Sequence, residues 1–124
     1  MTHILLAEDE DHIAKLIEFK LAKEGFEITV ARDGREAISL LTEKPWSLLI
    51  LDVLLPVCDG WQVLQAVRAL PELISLPVLI MSARNYPNME VAGKGEMGAQ
   101  QYLKKPFDPN DLVQVVKRMV KYDR

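Results

Sequence analysis

The sequence has one cysteine, no long apolar run and no excess of positive charge. Each shortage excludes something. With Cys58 alone, no disulfide can form within the chain, which suits a reducing compartment. The apolar run at the start, Ile4 to Ala7, is far too short for a signal peptide. The longest one, Leu48 to Val57, is interrupted by Asp52 and contains Pro56, so it is no membrane span. Fifteen Lys and Arg stand against eighteen Asp and Glu, for a formal net charge of -3, and nothing draws the chain to a polyanion. The one cluster of cations, Lys117, Arg118, Lys121 and Arg124, falls where the last turn of a helix would end, and there it complements the helix dipole. Direct nucleic-acid binding and membrane association are therefore not expected, and a cytoplasmic location is.

What is present is a globular balance. The chain has 124 residues, 49% hydrophobic and 27% charged, enough for one domain, 1–124, that buries roughly two-thirds of its unfolded surface. Apolar runs alternate with helical patterns. The runs are Ile4 to Ala7, Ile28 to Ala31, Leu48 to Leu51, Val78 to Met81 and Gln101 to Leu103. They are mostly continuous rather than alternating, as expected for strands covered on both faces of a parallel sheet. Between them, Ile13, Leu16, Ile17 and Leu21 follow helical spacing, and Gly25 is placed to end that helix. Ala37, Ile38, Leu40 and Leu41 mark a second helix, started by Asp33 and stopped by Pro45. Val63, Leu64, Val67 and Leu70 mark a third, with Asp59 as N-cap and Pro71 beyond its end. Asp108 caps the last helix, Pro109 occupies its first position, and Leu112, Val115, Val116 and Met119 give its buried stripe. The fourth helical slot, 84–98, holds Pro87, Gly93, Gly95 and Gly98. Each interior glycine costs about 1 kcal/mol relative to alanine, so a short or irregular helix is expected there. Five strand–helix units make an α/β doubly wound parallel sheet with helices on both faces.

In such sheets ligands bind at the carboxyl ends of the strands. The first run is followed by Glu8, Asp9, Glu10 and Asp11, the third by Asp52, the fourth by Ser82, and the fifth by Lys104 and Lys105. If these ends converge, several carboxylates and an ammonium share a small volume. Asp52, with apolar neighbours on both sides, is the diagnostic residue. A buried carboxylate without a partner is costly, and adjacent carboxylates either raise a pKa or demand a cation. A hard divalent ion with oxygen ligands meets that demand, and Mg²⁺ binds through one or two carboxylates while keeping waters. A carboxylate nucleophile, a metal, a lysine and a hydroxyl suit phosphoryl transfer through an acyl phosphate.

Four segments carry a family resemblance: Ile4 to Glu10, Leu51 to Gly60, Pro77 to Ala83, and Gly98 to Phe107. In their order and spacing they resemble the receiver domain of two-component response regulators, over essentially the whole chain. The resemblance implies a flavodoxin-like five-stranded sheet of order 2-1-3-4-5. It implies that Asp52 is the phosphoacceptor, that Glu8 and Asp9 hold Mg²⁺, and that the backbone carbonyl of Leu54 completes the metal ligands. Lys105 would pair with Asp52 or its phosphate, while Lys104 would be a surface charge. Ser82 would be the switch hydroxyl and Tyr102 the switch aromatic, and the Lys105–Pro106 bond is often cis in the family. A sensor histidine kinase or phosphotransfer protein would supply the phosphoryl group, and a downstream effector domain or protein would read the change. The candidate homodimer face is formed by the fourth helix, fifth strand and fifth helix. The domain would catalyse only its own phosphorylation and dephosphorylation.

The sequence departs from the pattern in places. Glu8 stands where Asp is common, which is expected to put a water between carboxylate and metal, and Ser82 replaces the commoner Thr. Gln100 and Gln101 replace frequent acids, and the segment between Ser82 and Gly98 is about one residue longer than usual. Leu54 and Arg84 flank the expected phosphate, with Leu54 expected to shield it from water. The alternative function is a pseudo-receiver that binds partners without phosphate; it predicts a missing acceptor, acid or lysine. An aspartate-nucleophile phosphatase would carry Asp-x-Asp on the first strand, whereas Leu54 stands two after Asp52 on the third. A flavodoxin-like nucleotide binder would want a glycine- or hydroxyl-rich first loop, where acids stand instead. Packing is the expected use of Trp46 and Trp61. The chain stops just after the fifth helix and reads either as a stand-alone receiver or as one cut from a larger protein.

Overall fold

A computed structural model describes residues 2–53, 55, 57, 59–82 and 101–122. The expected fourth helical slot, Leu54, Cys58, Arg84, Gly98 and Arg124 lie outside the described residues. The described residues form five strands and four α-helices: β1 (His3–Ala7), α1 (Asp11–Lys23), β2 (Glu27–Ala31), α2 (Gly34–Leu41), β3 (Leu48–Asp52), α3 (Gly60–Ala69), β4 (Val78–Ser82), β5 (Gln101–Lys104) and α4 (Pro109–Tyr122), with a short 3₁₀ turn at Pro71–Leu73. The sheet has the order β2-β1-β3-β4-β5, and every pair is parallel. This is the doubly wound sheet expected from the alternation of runs and helices, in the flavodoxin-like order 2-1-3-4-5 that the family resemblance implies.

Strand pleating sends alternate side chains to opposite faces, and each face has its own core. Leu5, Ala7, Leu49, Leu51, Val78 and Ile80 pack with α2 and α3. Ile4, Leu6, Leu48, Ile50, Leu79 and Met81 pack with α1 and α4. The central strand β3 is buried along its whole length, as is β4. The edge strands differ from the expectation of full burial: β2 is buried only at Ala31, and β5 is exposed at both ends. An edge strand has one neighbour instead of two, so its short polar residues can face water.

The helix ends follow the sequence signals. Asp33 accepts a hydrogen bond from the Glu36 N–H at 2.8 Å. Asp59 and Gln62 form a reciprocal capping box, at 3.0 and 2.9 Å. Asp108 accepts from the Asn110 N–H at 2.8 Å. After α1, Gly25 has φ of 94°, its N–H donates to Ala22, and that of Phe26 donates to Leu21. This is the Schellman pattern, in which glycine tolerates the left-handed conformation that ends the helix. The 3₁₀ turn was not evident in the sequence; Arg68 secures it by donating from Nη1 to the carbonyls of Leu73 and Ile74 at 3.2 and 3.1 Å. Both tryptophans pack as expected. Trp46 is buried with its indole N–H donating to the Leu40 carbonyl at 2.9 Å, and Trp61 lies half-buried against the same core. His3 is half-buried beside its register partner Glu27, with 2.7 Å between Nδ1 and Oε1. Among the described residues no helix is long and apolar enough to cross a membrane.

Candidate functional site

The parallel sheet delivers the ends of β1, β3, β4 and β5 to one edge, and backbone hydrogen bonds fix the residues that follow β1, β3 and β5. The Glu8 N–H donates to the Ala31 carbonyl at 3.0 Å, which ties the end of β1 to β2. The Val53 N–H donates to Met81 at 3.1 Å, which holds Asp52 beside β4. The Lys105 N–H donates to Ser82 at 2.7 Å, which ties the end of β5 to β4. Asp52 and Ser82 are themselves the last residues of β3 and β4. Their side chains therefore inherit the rigidity of the two most buried strands.

These ends bring together Glu8, Asp9, Asp52, Ser82 and Lys105. Glu8 is fully buried, and Asp52 and Ser82 are 4% and 1% exposed. Lys105 reaches both buried acids, with Nζ 2.8 Å from Glu8 Oε1 and 3.0 Å from Asp52 Oδ2. The contact with Glu8 was not foreseen, since sequence reasoning paired Lys105 with Asp52 alone. Carboxylate oxygens of Glu8, Asp9 and Asp52 lie within 4.8 Å of one another.

Charge counting shows what this arrangement lacks. Three carboxylates face one ammonium. Burial raises the Glu8 acid, and the neighbouring Asp52 raises it further. Lys105 offsets only part, and the result is about 8. Burial by itself would lower the Lys105 ammonium, but its hydrogen bonds to Glu8 and Asp52 outweigh that and raise it. The donors are all hard oxygens, and the cluster is short of positive charge. It fits a hard divalent cation such as Mg²⁺, which favours carboxylate and water ligands.

Tyr102 on β5 is half-buried against the core shared with α2 and α3. Lys104 is exposed at the end of β5, as a surface charge. The Lys105–Pro106 bond is cis. The Leu54 carbonyl, expected as a metal ligand, lies outside the described residues.

Asp11 belongs to the acidic run but not to the cluster. Its Oδ1 lies 2.6 Å from Arg32 Nη1 and its Oδ2 lies 3.0 Å from Lys15 Nζ. Those two cations hold its carboxyl below the usual range. Asp11→Asn is accordingly expected to leave the Mg²⁺ dissociation constant within about two-fold of the parent, because exposed ion pairs contribute little. Asp9→Asn is expected to weaken it by at least ten-fold, on the scale of one lost charged ligand. Isothermal titration of both variants checks the contrast.

Gly60 is a residue whose weight was not legible as such. The first turn of α3 folds back against the end of β3, with the Gly60 N–H donating to the Val53 carbonyl at 2.8 Å. A Cβ at this position would meet the Asp52 carbonyl oxygen at 2.6 Å and Val53 Cα at 2.7 Å. The sequence signals were the Asp59-Gly60 pair, readable as a cap followed by a small residue, and the place of Gly60 at the end of the resembling segment Leu51 to Gly60.

Comparison with known proteins extends the same picture along the chain. Residues 4–117 match the sequence profile of the response regulator receiver domain. The probable transcriptional regulator ycf29 of Porphyra purpurea is 31% identical over 121 residues, covering 98% of this chain and 57% of that protein. The transcriptional regulatory protein PcoR of Escherichia coli is 35% identical over 124 residues, covering 100% of this chain and 54% of that protein. The chain thus spans about half the length of the curated relatives it matches. Among solved structures, the receiver domain of Francisella response regulator 1452 superposes with a TM-score of 0.90 at 31% identity, over 100% of both chains. The chemotaxis protein CheY4 of Vibrio cholerae superposes with a TM-score of 0.87 at 30% identity, over 96% of this chain and 98% of that one. Sheet order, acidic cluster and these likenesses agree, and the chain belongs to the response regulator receiver domain family.

Proposed function

We propose that the chain is a single receiver domain, 1–124, that acts as a cytoplasmic phosphoacceptor switch, with Asp52 as the acceptor. The observation that carries this reading is the buried Asp52 carboxylate at the end of β3, held 3.0 Å from Lys105 within a cluster of acids that fits a divalent cation. An oxygen of Asp52 attacks the phosphorus of a phosphohistidine on a sensor kinase or phosphotransfer protein. The new P–O bond forms as the P–N bond breaks, and the imidazole leaves with that electron pair. Mg²⁺ at Glu8, Asp9 and Asp52, with the Leu54 carbonyl as a further ligand, would neutralise charge on the phosphoryl oxygens. Lys105 then has an anionic phosphate to pair with in place of the carboxylate.

Ser82 and Tyr102 would carry the switch. Ser82 ends β4, one residue after the Met81 that pairs with Asp52, and its hydroxyl would donate to a phosphoryl oxygen. Tyr102 pairs in register with Ile80, two residues before Ser82. A shift of Ser82 would open room for the ring to turn inward, changing the surface around β5. A downstream effector domain or protein, or a second copy through a face of β5, α4 and the expected helical slot 84–98, would read that change. The pseudo-receiver alternative requires a missing acceptor, acid or lysine, and none is missing.

Intact mass after incubation with acetyl phosphate tests the reading. A gain of one phosphoryl group is expected with Mg²⁺, and none without it or in Asp52→Asn. Undiminished labelling of Asp52→Asn would remove Asp52 from the role of acceptor.

A further inference from the structure

We infer that Gly60 is a positioning residue for the acceptor: the missing side chain lets α3 close against the Asp52–Val53 peptide and so sets where the Asp52 carboxylate stands. The inference rests on the reading of Asp52 as acceptor. The backbone at Gly60 is not in the left-handed region, so the position calls for space rather than for conformational freedom. The three atoms a Cβ would crowd are the Asp52 carbonyl oxygen at 2.6 Å, Val53 Cα at 2.7 Å and the Asp52 carbonyl carbon at 3.2 Å. All three are backbone, so no side-chain rotation can relieve the contact. Either α3 or the peptide must move.

Neither is free to move alone. The first turn of α3 is locked by the Asp59–Gln62 capping box, and Val63, Leu64 and Val67 anchor the helix in the core. The peptide is tied to α3 through Gly60 and to β4 through Met81. A displacement is therefore shared, and part of it falls on Asp52. Its carboxylate works at hydrogen-bond distance from Lys105, within a cluster only 4.8 Å across. Misplacement of a reacting group by about 1 Å can cost about a hundred-fold in rate.

The test compares Gly60→Ala with Val53→Ala, which trims a buried side chain of the same stretch and leaves the Gly60 contact intact. Phosphorylation by acetyl phosphate, Mg²⁺ affinity by calorimetry and thermal unfolding are measured for each. Gly60→Ala is expected to lower the limiting phosphorylation rate per folded molecule by about ten- to a hundred-fold. The donor concentration for half-maximal rate should change little, and Mg²⁺ should bind several-fold more weakly. Val53→Ala is expected to lower the unfolding temperature while keeping the parent rate. If Gly60→Ala does not fold, the double variant Asp59→Ala, Gln62→Ala, which frees the first turn of α3 and keeps Gly60, is expected to slow phosphorylation several-fold. A parent-like rate in Gly60→Ala, or in that double variant where it stands in, overturns the proposal. So does an equal loss in Val53→Ala, since lost stability would then explain both. Failure of the parent chain to accept phosphate is a separate outcome that refutes the acceptor reading. Gly60 is then judged on Mg²⁺ affinity alone, and an unchanged affinity in Gly60→Ala overturns its role.

Discussion

Lys105→Met is expected to lower the stability of the metal-free protein by about 3 kcal/mol at neutral pH, on the scale of breaking a buried ion pair. Lys105 is the ammonium that contacts two buried carboxylates, at 2.8 Å from Glu8 and 3.0 Å from Asp52. Methionine fills a similar volume, so the loss reports charge rather than packing. The lower end of the range applies because Glu8, with its acid raised to about 8, can keep a proton and spare the site one negative charge. The cost should therefore grow as pH rises above about 8, where the parent's Glu8 ionises against Lys105 while the variant's Glu8, without the lysine that lowers its acid, holds its proton to higher pH. Mg²⁺ should recover much of the loss, since it supplies the missing positive charge and no longer competes with an ammonium. Urea unfolding with and without Mg²⁺, across this pH range, measures all three effects. A variant as stable as the parent at high pH without metal would show that the lysine carries no electrostatic weight. The same variant is expected to accept phosphate far more slowly although it binds Mg²⁺ more tightly, because no ammonium then meets the phosphoryl group.

The parts of the molecule legible in the sequence are those set by local chemistry or by burial on both faces. Leu48 to Leu51 and Val78 to Met81 read as core strands because central parallel strands leave no face for polar residues. Asp33, Asp59, Asp108 and Gly25 read as helix ends because capping depends on residues only a few positions apart. That Asp52, Ser82 and Lys105 would come to one edge was legible because strand ends in this topology share it. What remained hidden depended on contacts between distant segments. The bond between Lys105 and Glu8 joins residues 97 positions apart. The capture of Asp11 by Arg32 joins the starts of two different β–α turns, and four acids in a row give no local sign of which is withdrawn. The close approach at Gly60 is likewise a matter of how α3 meets β3. The partner of His3 was likewise hidden, because its pairing with Glu27 exists only once β1 and β2 lie in register.

Mg²⁺ affinity is expected to rise with pH by an order of magnitude or more between about pH 6 and about pH 8, because a proton on Glu8 competes with the metal. The stability of the metal-free protein should move the opposite way. The Glu8 acid is raised by folding from 4.5 to about 8, so the folded state holds its proton more tightly than the unfolded state does. That contribution is fully present below about 4.5 and is lost as pH rises through about 8. Its size is on the order of a few kcal/mol at most. Metal binding and proton binding thus stabilise the same fold over different ranges, with the proton serving at lower pH and the cation at higher pH. Calorimetric Mg²⁺ titration and thermal unfolding, each run across this window, check both slopes. Glu8→Gln places a neutral group of the same shape where the protonated acid stands. It should flatten the pH dependence of stability, and it should hold Mg²⁺ affinity near the weak, low-pH value of the parent. A parent whose affinity is level across the window would show that Glu8 is already ionised there. The acidic pair would then bind metal without displacing a proton, and the pH dependence of phosphorylation would have to arise in the donor.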